Sequence, residues 1–435
     1  MSRVLVTGGA GFIGSHVVDA LRAAGHEAVI FDRRPSPHHP ARQVPWVRGD
    51  ILDAAALRRA AAGCDAIWHL AAAADVNEVL ADPARAEELN ARGTLNVLEA
   101  ARAAGVPRVL YASTIWVYSE VERGPVDEDT PLPPPRHVYT ATKLAGELYC
   151  RAYEDLYGLP CTILRFGIPY GPRARSAGVV AAFVRRALDG EALTIQGDGR
   201  QHRRFVYVED LAEGAVRALA PCAAGRTYNL VGDADVSVLE IAETVREVVG
   251  AVEIVREPAR AGDFGGVEVS GSRAAAELGW RPRTPLREGV RRCVEWESAQ
   301  RRAAAARASR RRMPPERVAR VARSAAIVAA AVVAGMLAAV LARYEEVSDG
   351  ASLLGLLALA GLPLALVARI DWARDRRRAA VVGAAMLSGA ALTSVIVSVA
   401  EGLEHLVRHH AVLFLVVVIV SVAAGGYAVR PATGN

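Results

Sequence analysis

Cysteine is scarce in this sequence, and the few cysteines are not placed to hold a metal ion or a disulfide framework. Five occur among 435 residues, without a C-x-x-C pair and without histidines clustered beside them. Structural metal sites and disulfide-rich folds both need close, repeated cysteine spacing. We therefore predict buried, reduced thiols in the cytoplasm and no metal ion.

A cleavable targeting segment is also missing. The N-terminus reads MSRVLVTGGAGFIG and lacks the charged-then-apolar layout of a signal peptide. Its apolar run is only as long as a strand. The first domain is therefore expected to stay on the side of the membrane where it is made.

Charged side chains are absent from four long stretches near the C-terminus. These stretches are 324–342, 351–368, 379–400 and 411–429. A helix of about 19 residues extends about 28 Å, close to the thickness of the hydrocarbon core of a bilayer. The sequence therefore predicts four transmembrane helices within residues 324–430, which would form an all-α bundle in the lipid bilayer.

Positive charge is concentrated just before these stretches. Residues 301–323 hold nine arginines against one acid, Glu316, so this linker carries +8 and the rest of the chain −3. Because cytoplasmic loops collect arginine, we predict a multi-pass protein of the cell membrane with its linker, first domain and C-terminus in the cytoplasm. The high isoelectric point reflects this linker, and no nucleic-acid partner is expected.

The first 32 residues follow the order strand, glycine turn, helix, strand, acid. An apolar run over 3–7 leads into TGGAGFIG, a helical pattern covers 12–24, and a second apolar run over 28–31 ends at Asp32. That order is typical of a dinucleotide-binding βαβ unit. The pyrophosphate of the dinucleotide would lie at the positive end of the helix.

Each glycine of this turn has an expected task. Gly8 permits the tight turn, Gly11 lets the pyrophosphate approach the backbone, and Gly14 lets the helix pack close to the strand. A carboxylate at Asp32 accepts hydrogen bonds from ribose hydroxyls and repels a 2′-phosphate, which favours NAD. NADP stays open as the less favoured cofactor, because the adjacent arginines 33 and 34 are able to pair with such a phosphate.

Further apolar runs alternate with Ala- and Leu-rich helical stretches. They cover 66–70, 108–113 and 161–165. This alternation predicts an α/β fold with a Rossmann-type, doubly wound parallel sheet. The predicted domain spans residues 1–300, with a smaller substrate-binding lobe mainly from 171 onward and a last helix over 286–300.

Two residues at the start of another helical segment indicate chemistry. Tyr139 and Lys143 stand four apart in YTATKLAGELYCRAY, so they share one face of a helix. A tyrosine hydroxyl has a pKa of about 10, and a nearby ammonium is expected to lower that pKa by favouring the phenolate. Ser113 and Thr114 end an apolar strand, where a hydroxyl is able to bond the reacting oxygen of a substrate.

These motifs together resemble the extended short-chain dehydrogenases/reductases. The ordered set is TGGAGFIG, Asp50-Ile51, His69-Leu70-Ala71-Ala72, Asn90 in NARGTLNVLEAA, Ser113-Thr114 and Tyr139-x-x-x-Lys143. Within that group the chain is similar to the NAD-dependent epimerase/dehydratase family acting on nucleotide sugars. The later segments GDGRQHRRFVYVEDLAEG and LGWRPRTPLREGVRRCVEW extend the likeness over about residues 1–298.

The resemblance implies a set of site residues. The catalytic group would be Thr114, Tyr139 and Lys143. The cofactor would be held by Gly8, Gly11, Phe12, Ile13, Gly14, Asp32, Arg33, Asp50, Ile51, Leu70, Ala71, Ala72, Asn90 and Ser113, together with Tyr139 and Lys143. Arg203 and Arg260 would bind the diphosphate of the nucleotide sugar, with Thr114 at the sugar. Related enzymes often pair through a helical bundle, so a homodimer is also implied.

The residues after Thr114 bear on the type of reaction. In the dehydratase and decarboxylase branches acidic residues follow this threonine, because proton transfer at a neighbouring carbon needs another acid or base. This chain has Ile115 and Trp116 there, and neither can transfer a proton. A nucleotide-sugar epimerase similar to UDP-glucose 4-epimerase is therefore the leading hypothesis.

Two departures from the family pattern weigh against an ordinary epimerase. Ile168 stands where an asparagine commonly helps to bind the substrate diphosphate, and Arg204 stands where an acid is usual. Arg204 is expected either to compensate for Ile168 or to be exposed to solvent. Two alternative functions stay open: an NAD(P)-dependent reductase or dehydrogenase, and a non-catalytic nucleotide sensor that regulates a membrane partner.

Overall fold

The computed structural model describes residues 1–122, 124–174, 178–258 and 267–311. The chain divides into two compact units, Met1–Ala305 and Ala306–Asn435. The predicted membrane segments, Arg260 and most of the second unit lie outside the described residues. Within the described ranges, no helix has both the length and the apolar character needed to cross a membrane.

The described residues form thirteen strands, most of them short. They are β1 (Arg3–Thr7), β2 (Glu27–Asp32), β3 (Trp46–Arg48), β4 (Ala66–His69), β5 (Val109–Thr114), β6 (Cys161–Phe166), β7 (Ile168–Tyr170), β8 (Leu193–Gln196), β9 (His202–Arg203), β10 (Phe205–Tyr207), β11 (Thr227–Leu230), β12 (Val236–Ser237) and β13 (Ile254–Glu257).

Eleven α-helices connect and cover these strands in the described ranges. They are α1 (Phe12–Ala23), α2 (Ala54–Ala61), α3 (Val76–Ala81), α4 (Pro83–Glu87), α5 (Gly93–Ala104), α6 (Val138–Tyr157), α7 (Val179–Leu188), α8 (Val208–Arg217), α9 (Val238–Val249), α10 (Ser272–Leu278) and α11 (Leu286–Arg311). A π-helical turn, Glu88–Arg92, leads into α5, and a 3-10 turn, Ile115–Tyr118, follows β5.

The main sheet has seven strands in the order β11-β6-β5-β4-β1-β2-β3, and every pairing in it is parallel. The order reverses between β1 and β4, which is the point where an open α/β sheet binds its ligand at the carboxyl ends of the strands. The predicted Rossmann-type sheet is therefore confirmed.

Both faces of this sheet are buried, as a parallel sheet requires. Side chains alternate across β1, so Val4 and Val6 lie in one core and Leu5 lies in the other. Helices α1 and α8 pack together, and α2 packs on α5. The carboxyl end of β1 thereby meets the start of α1 in a fixed position.

The smaller lobe is interwoven with the main sheet rather than appended after residue 171. Strand β11 returns to the edge of the main sheet beside β6, and α8 packs on α1. The short pairs β7–β10, β9–β12 and β8–β13 belong to the lobe itself. A third apolar core, which includes Phe183, Ile195 and Ile241, holds the lobe together.

The last described helix is longer than the sequence pattern predicted. Helix α11 continues past residue 300 and runs to Arg311, well into the Arg-rich linker. Alanine and arginine are strong helix formers, and the first proline of the linker comes only at Pro314. The predicted helix end at residue 300 is therefore wrong.

The cysteines differ from expectation at one position. Cys64, Cys150, Cys161 and Cys293 are buried and unpaired, as predicted, but Cys222 is exposed. It lies in a 3-10 turn, Pro221–Ala223, at the surface of the domain.

Candidate active site

The glycine turn between β1 and α1 is shaped by close backbone contacts. Gly8 has φ +71°, and a Cβ placed there would lie 2.8 Å from the backbone nitrogen of Ala71. A Cβ on Gly14 would lie 2.2 Å from the carbonyl oxygen of Gly8, so only glycine allows α1 this close to the turn. Gly11 is the N-cap of α1, which opens with Phe12 and Ile13. The turn therefore presents the N-terminus of α1 at the carboxyl edge of the sheet.

Asp32 reaches back to this turn from the end of β2. Its carboxylate accepts hydrogen bonds from the backbone nitrogens of Ala10, at 3.2 Å, and Arg34, at 3.1 Å. The Arg33 guanidinium points elsewhere and lies 4.0 Å from the Asp50 carboxylate. The acid is thus placed as the dinucleotide fingerprint requires, and Arg33 is partly neutralised by Asp50.

The turn after β4 is held against β1 by buried polar side chains. The backbone nitrogen of Ala71 donates to the Thr7 hydroxyl at 3.3 Å, and His69 lies between the hydroxyls of Thr7 and Thr94 at 2.8 and 3.0 Å. Burial lowers the pKa of His69 to about 3. A neutral histidine therefore fixes the Leu70–Ala72 turn beside Gly8.

Two residues predicted to contact the cofactor, Asn90 and Ile51, bond and pack within the protein beside the proposed cofactor site. The Asn90 amide bonds both backbone groups of Ala73, at 2.7 and 2.9 Å, and donates to the Thr142 hydroxyl at 3.0 Å. Its carbonyl and both N–H groups are thereby used within the protein. Ile51 is buried and packs on Gly93, and its carbonyl oxygen accepts from Asn96 at 3.0 Å. Both side chains position the cofactor turns.

Thr114 and Tyr139 meet at the carboxyl end of β5. Thr114 is the last residue of that strand, and Tyr139 lies in the first turn of α6. Burial raises the pKa of Tyr139 to about 12, and a hydrogen bond with Thr114 opposes that rise. The expected lowering by Lys143 is not found in this structure, because burial dominates and the lysine binds elsewhere.

Lys143 lies one turn further along α6 and is buried. Its Nζ donates to the carbonyl oxygen of Ala112 at 2.8 Å and lies 5.1 Å from the centre of the Tyr111 ring. Burial lowers the pKa of Lys143 to about 8, although Glu147 raises it. Its ammonium is therefore held against β5, within one helical turn of Tyr139.

Sequence reasoning missed a buried ion pair beneath this group. Glu147 accepts two bonds from Arg165, at 3.0 and 2.7 Å, and one from the Ser113 hydroxyl at 2.5 Å. Ser113, predicted at the cofactor, is therefore committed to Glu147. A signal was present in the sequence, since Glu147 follows Lys143 by four residues and so lies on the same buried helix face.

A small pocket lies beside Trp116. Arg203, on β9, lines a small open pocket together with Ile115, Trp116 and Val269. Ile168 opens β7 and is half-buried against the core of the lobe. Of the two arginines predicted to bind a diphosphate, the structure thus describes one, Arg203, and places it beside the 3-10 turn that follows Thr114.

Arg204 is not exposed to solvent, so that expectation is wrong. Its side chain is only 12% exposed, and its Nε lies 3.0 Å from the Asp235 carboxylate. It also donates to the carbonyl oxygen of Gly232 at 3.2 Å, and Glu268 lies 3.8 Å away. Asp235, in a later loop, therefore neutralises part of the Arg204 charge. Arg204 lines the same pocket as Arg203, and its compensation for Ile168 stays a prediction.

Comparison with known proteins agrees with this geometry. Residues 4–231 match the model of the NAD dependent epimerase/dehydratase family. A UDP-glucose 4-epimerase of Mycolicibacterium smegmatis is 37% identical over 307 residues, which cover 68% of this chain and 98% of that protein. The chain therefore belongs to the NAD-dependent epimerase/dehydratase family.

Solved structures include both reaction types of the family. The UDP-glucose 4-epimerase of Thermus thermophilus in complex with NAD matches with a TM-score of 0.62 and 37% identity, covering 68% of this chain and 98% of that one. The dTDP-glucose 4,6-dehydratase DesIV of Streptomyces venezuelae, solved with NAD, gives a TM-score of 0.64 and 33% identity, covering 69% and 98%. NAD is thus bound by members of either type.

Proposed function

We propose that this protein is an NAD-dependent nucleotide-sugar 4-epimerase. The observation that carries the proposal is the 3-10 turn after Thr114, in which Ile115 and Trp116 line the same small pocket as Arg203. A 4,6-dehydratase needs a proton-transferring side chain beside its catalytic threonine. The likeness to UDP-glucose 4-epimerases supports the same choice.

The glycine turn suits a dinucleotide, because the close backbone contacts at Gly8 and Gly14 bring the N-terminus of α1 to the carboxyl edge of the sheet, where a pyrophosphate would bind. We propose NAD over NADP, since the Asp32 carboxylate faces the turn and Arg33 lies toward Asp50. NAD, when bound, would supply a reversible hydride acceptor. The glycine turn, Asp32 and the Leu70–Ala72 turn would hold it.

Tyr139 is the proposed base for the sugar hydroxyl. Thr114 donates a hydrogen bond that favours the phenolate, and the positive charge at Lys143 lies one turn away. Because burial alone raises the tyrosine pKa, base catalysis depends on positive charge brought close to the ring. Arg203 is the proposed contact for the diphosphate.

The test uses the full-length chain in detergent with NAD and UDP-glucose, UDP-galactose or their N-acetyl forms. Epimerisation gives a new stereoisomer by chromatography without net NADH. Tyr139→Phe is expected to lower kcat by at least about 100-fold, because a general base contributes that much, while exposed Tyr157→Phe leaves it unchanged.

Other products would point to the other functions. Net NADH would indicate a dehydrogenase, and a keto-deoxy sugar would indicate a dehydratase. Tight nucleotide binding without turnover, and full function of Tyr139→Phe in cells, would favour the sensor.

We further propose that the enzyme is tethered to the cytoplasmic face of the cell membrane. Support comes from the sequence alone: four uncharged stretches within 324–430 and the +8 linker before them. A tether of this kind would keep the enzyme near lipid-linked glycan assembly. A homodimer is proposed as well, because large apolar side chains of α6 are exposed.

A further inference from the structure

Lys143 is the single lysine of the chain. The other 51 of the 52 lysine and arginine residues are arginine. Arginine keeps its charge in all protein environments, whereas a lysine ammonium is compact and its pKa responds to burial and neighbours. The chain thus uses lysine only at the position where the charge is able to change.

The surroundings of Lys143 contain one group of opposite charge. The ionisable and aromatic groups around it are His69 on β4, Tyr111 on β5, and Tyr139, Glu147 and Cys150 on α6. His69 is neutral, since burial lowers its pKa to about 3, and Tyr111 and Cys150 have pKa values raised by burial or hydrogen bonding. Glu147 is therefore the anion that acts on this ammonium.

Glu147 is in turn balanced by Arg165 of β6. Both side chains are buried, at 3% and 4% exposure, and two hydrogen bonds join them. The third bond, from Ser113, ties the carboxylate to β5, the strand whose Ala112 carbonyl receives the Lys143 ammonium. Helix α6 and strands β5 and β6 are thus joined at one carboxylate, directly behind the catalytic group.

We propose that Glu147 and Arg165 form a positioning pair that fixes the location of Lys143 against β5 and balances the charge beside it. The pair carries no net charge, so it holds α6 on β5 without forcing the lysine to either protonation state. This inference rests on the proposed function only in giving Lys143 a role in the reaction. Glu147 and Arg165 act through Lys143 and Ser113.

Removing either partner of the pair is expected to shift the pKa of Lys143, in opposite directions. Glu147→Gln removes the anion and leaves the Arg165 cation, so the charged lysine is disfavoured and its pKa falls. Arg165→Gln leaves an unbalanced carboxylate one helical turn away, so the lysine pKa rises. The double variant restores a neutral pair, and the lysine pKa returns to within a few tenths of a unit of the wild-type value.

The single lysine makes this measurable directly. Full-length protein grown with lysine labelled with carbon-13 at the ε position gives one lysine resonance, and its shift is followed against pH. We expect changes of about one pH unit, downward in Glu147→Gln and upward in Arg165→Gln. Glu288→Gln, in an exposed pair with Arg291, is the matched control and is expected to give no shift.

Shifts in the same direction in both single variants, or no shift in either, would overturn the proposal. If the single variants do not fold, Ser113→Ala separates the two parts of the proposal. It keeps both charges and removes the tie to β5, so the lysine pKa is expected to stay while kcat falls about tenfold. An unchanged kcat in Ser113→Ala would overturn the positioning role. The titration needs no sugar, so it is independent of whether the epimerase assay succeeds.

Discussion

At the scale of single residues, His137 has two ring nitrogens in different surroundings. Its Nδ1 accepts a hydrogen bond from the backbone nitrogen of Tyr139 at 3.1 Å and so caps α6. The neutral ring must then carry its proton on Nε2, which is buried and has no partner among the described residues. The ring lies 6.1 Å from that of Trp116, which lines the small pocket beside Arg203. An unused donor there suits an oxygen of the sugar.

We predict that His137→Ser raises the KM for the converted nucleotide sugar by about fivefold, because a buried hydrogen bond of about 1 kcal/mol is lost. Serine still caps the helix, so the Tm stays near that of the wild type. His137→Ala removes the cap as well and lowers the Tm. Steady-state kinetics and thermal melting separate these effects. An unchanged KM in His137→Ser would show that water satisfies the donor.

The lowered pKa of His69 makes the stability of the folded protein depend on pH. Its pKa is about 3 in the folded protein and near 6.5 when unfolded, so below pH 6.5 the unfolded chain binds more protons. Stability is therefore complete above about pH 6.5 and falls as the pH drops toward 3, by up to about 1.4 kcal/mol per unit. Thermal melting at pH 7 and pH 5 measures this loss.

His69→Gln is expected to lose less stability than the wild type between these two pH values. His16 contributes to the remaining loss, since burial lowers its pKa to about 4. Exposed His202→Gln serves as the control and should melt like the wild type at both values. Equal losses in His69→Gln and the wild type would mean that His69 is not kept neutral by the fold.

At the scale of elements, the segments with strict local patterns were predicted and those set by distant contacts were not. Strand β1, helix α1 and strand β2 occur where the apolar runs and glycines placed them, within one residue or so. The neutralisation of Arg204 by Asp235 depends on a loop some thirty residues later, which no local pattern reveals. The tasks of Asn90 and Ser113 likewise depend on packing between elements.

Helix α6 also carries a testable surface. Leu148 and Leu156 are 59% and 73% exposed, and they lie on the helix that begins at the catalytic tyrosine. Large apolar side chains exposed on one element mark an interaction surface. We predict that Leu148→Glu with Leu156→Glu halves the mass measured by light scattering. Leu80→Glu, equally exposed but on α3, is the control and should keep the wild-type mass. A monomeric wild-type protein would contradict this prediction.

At the scale of the whole molecule, the two parts of the chain differ in amino-acid composition. The unit Met1–Ala305 is an α/β enzyme domain with ordinary mixed composition, whereas residues 324–430 contain long stretches without charge. Helix α11 leads from the first into the Arg-rich linker between them. The arginines of that linker outweigh the net negative charge of the rest of the chain.

We predict that the full-length chain stays in the membrane fraction after washing with high salt and with alkaline carbonate, because helices that span a bilayer resist both. A chain ended after residue 311 should be released by the salt wash alone. The full-length variant in which Arg310, Arg311 and Arg312 are all changed to Gln should stay in the pellet, since the uncharged stretches provide the anchor. Release of the full-length chain by carbonate would instead place residues 324–430 outside the bilayer, and the enzyme would then be held only by its linker charge.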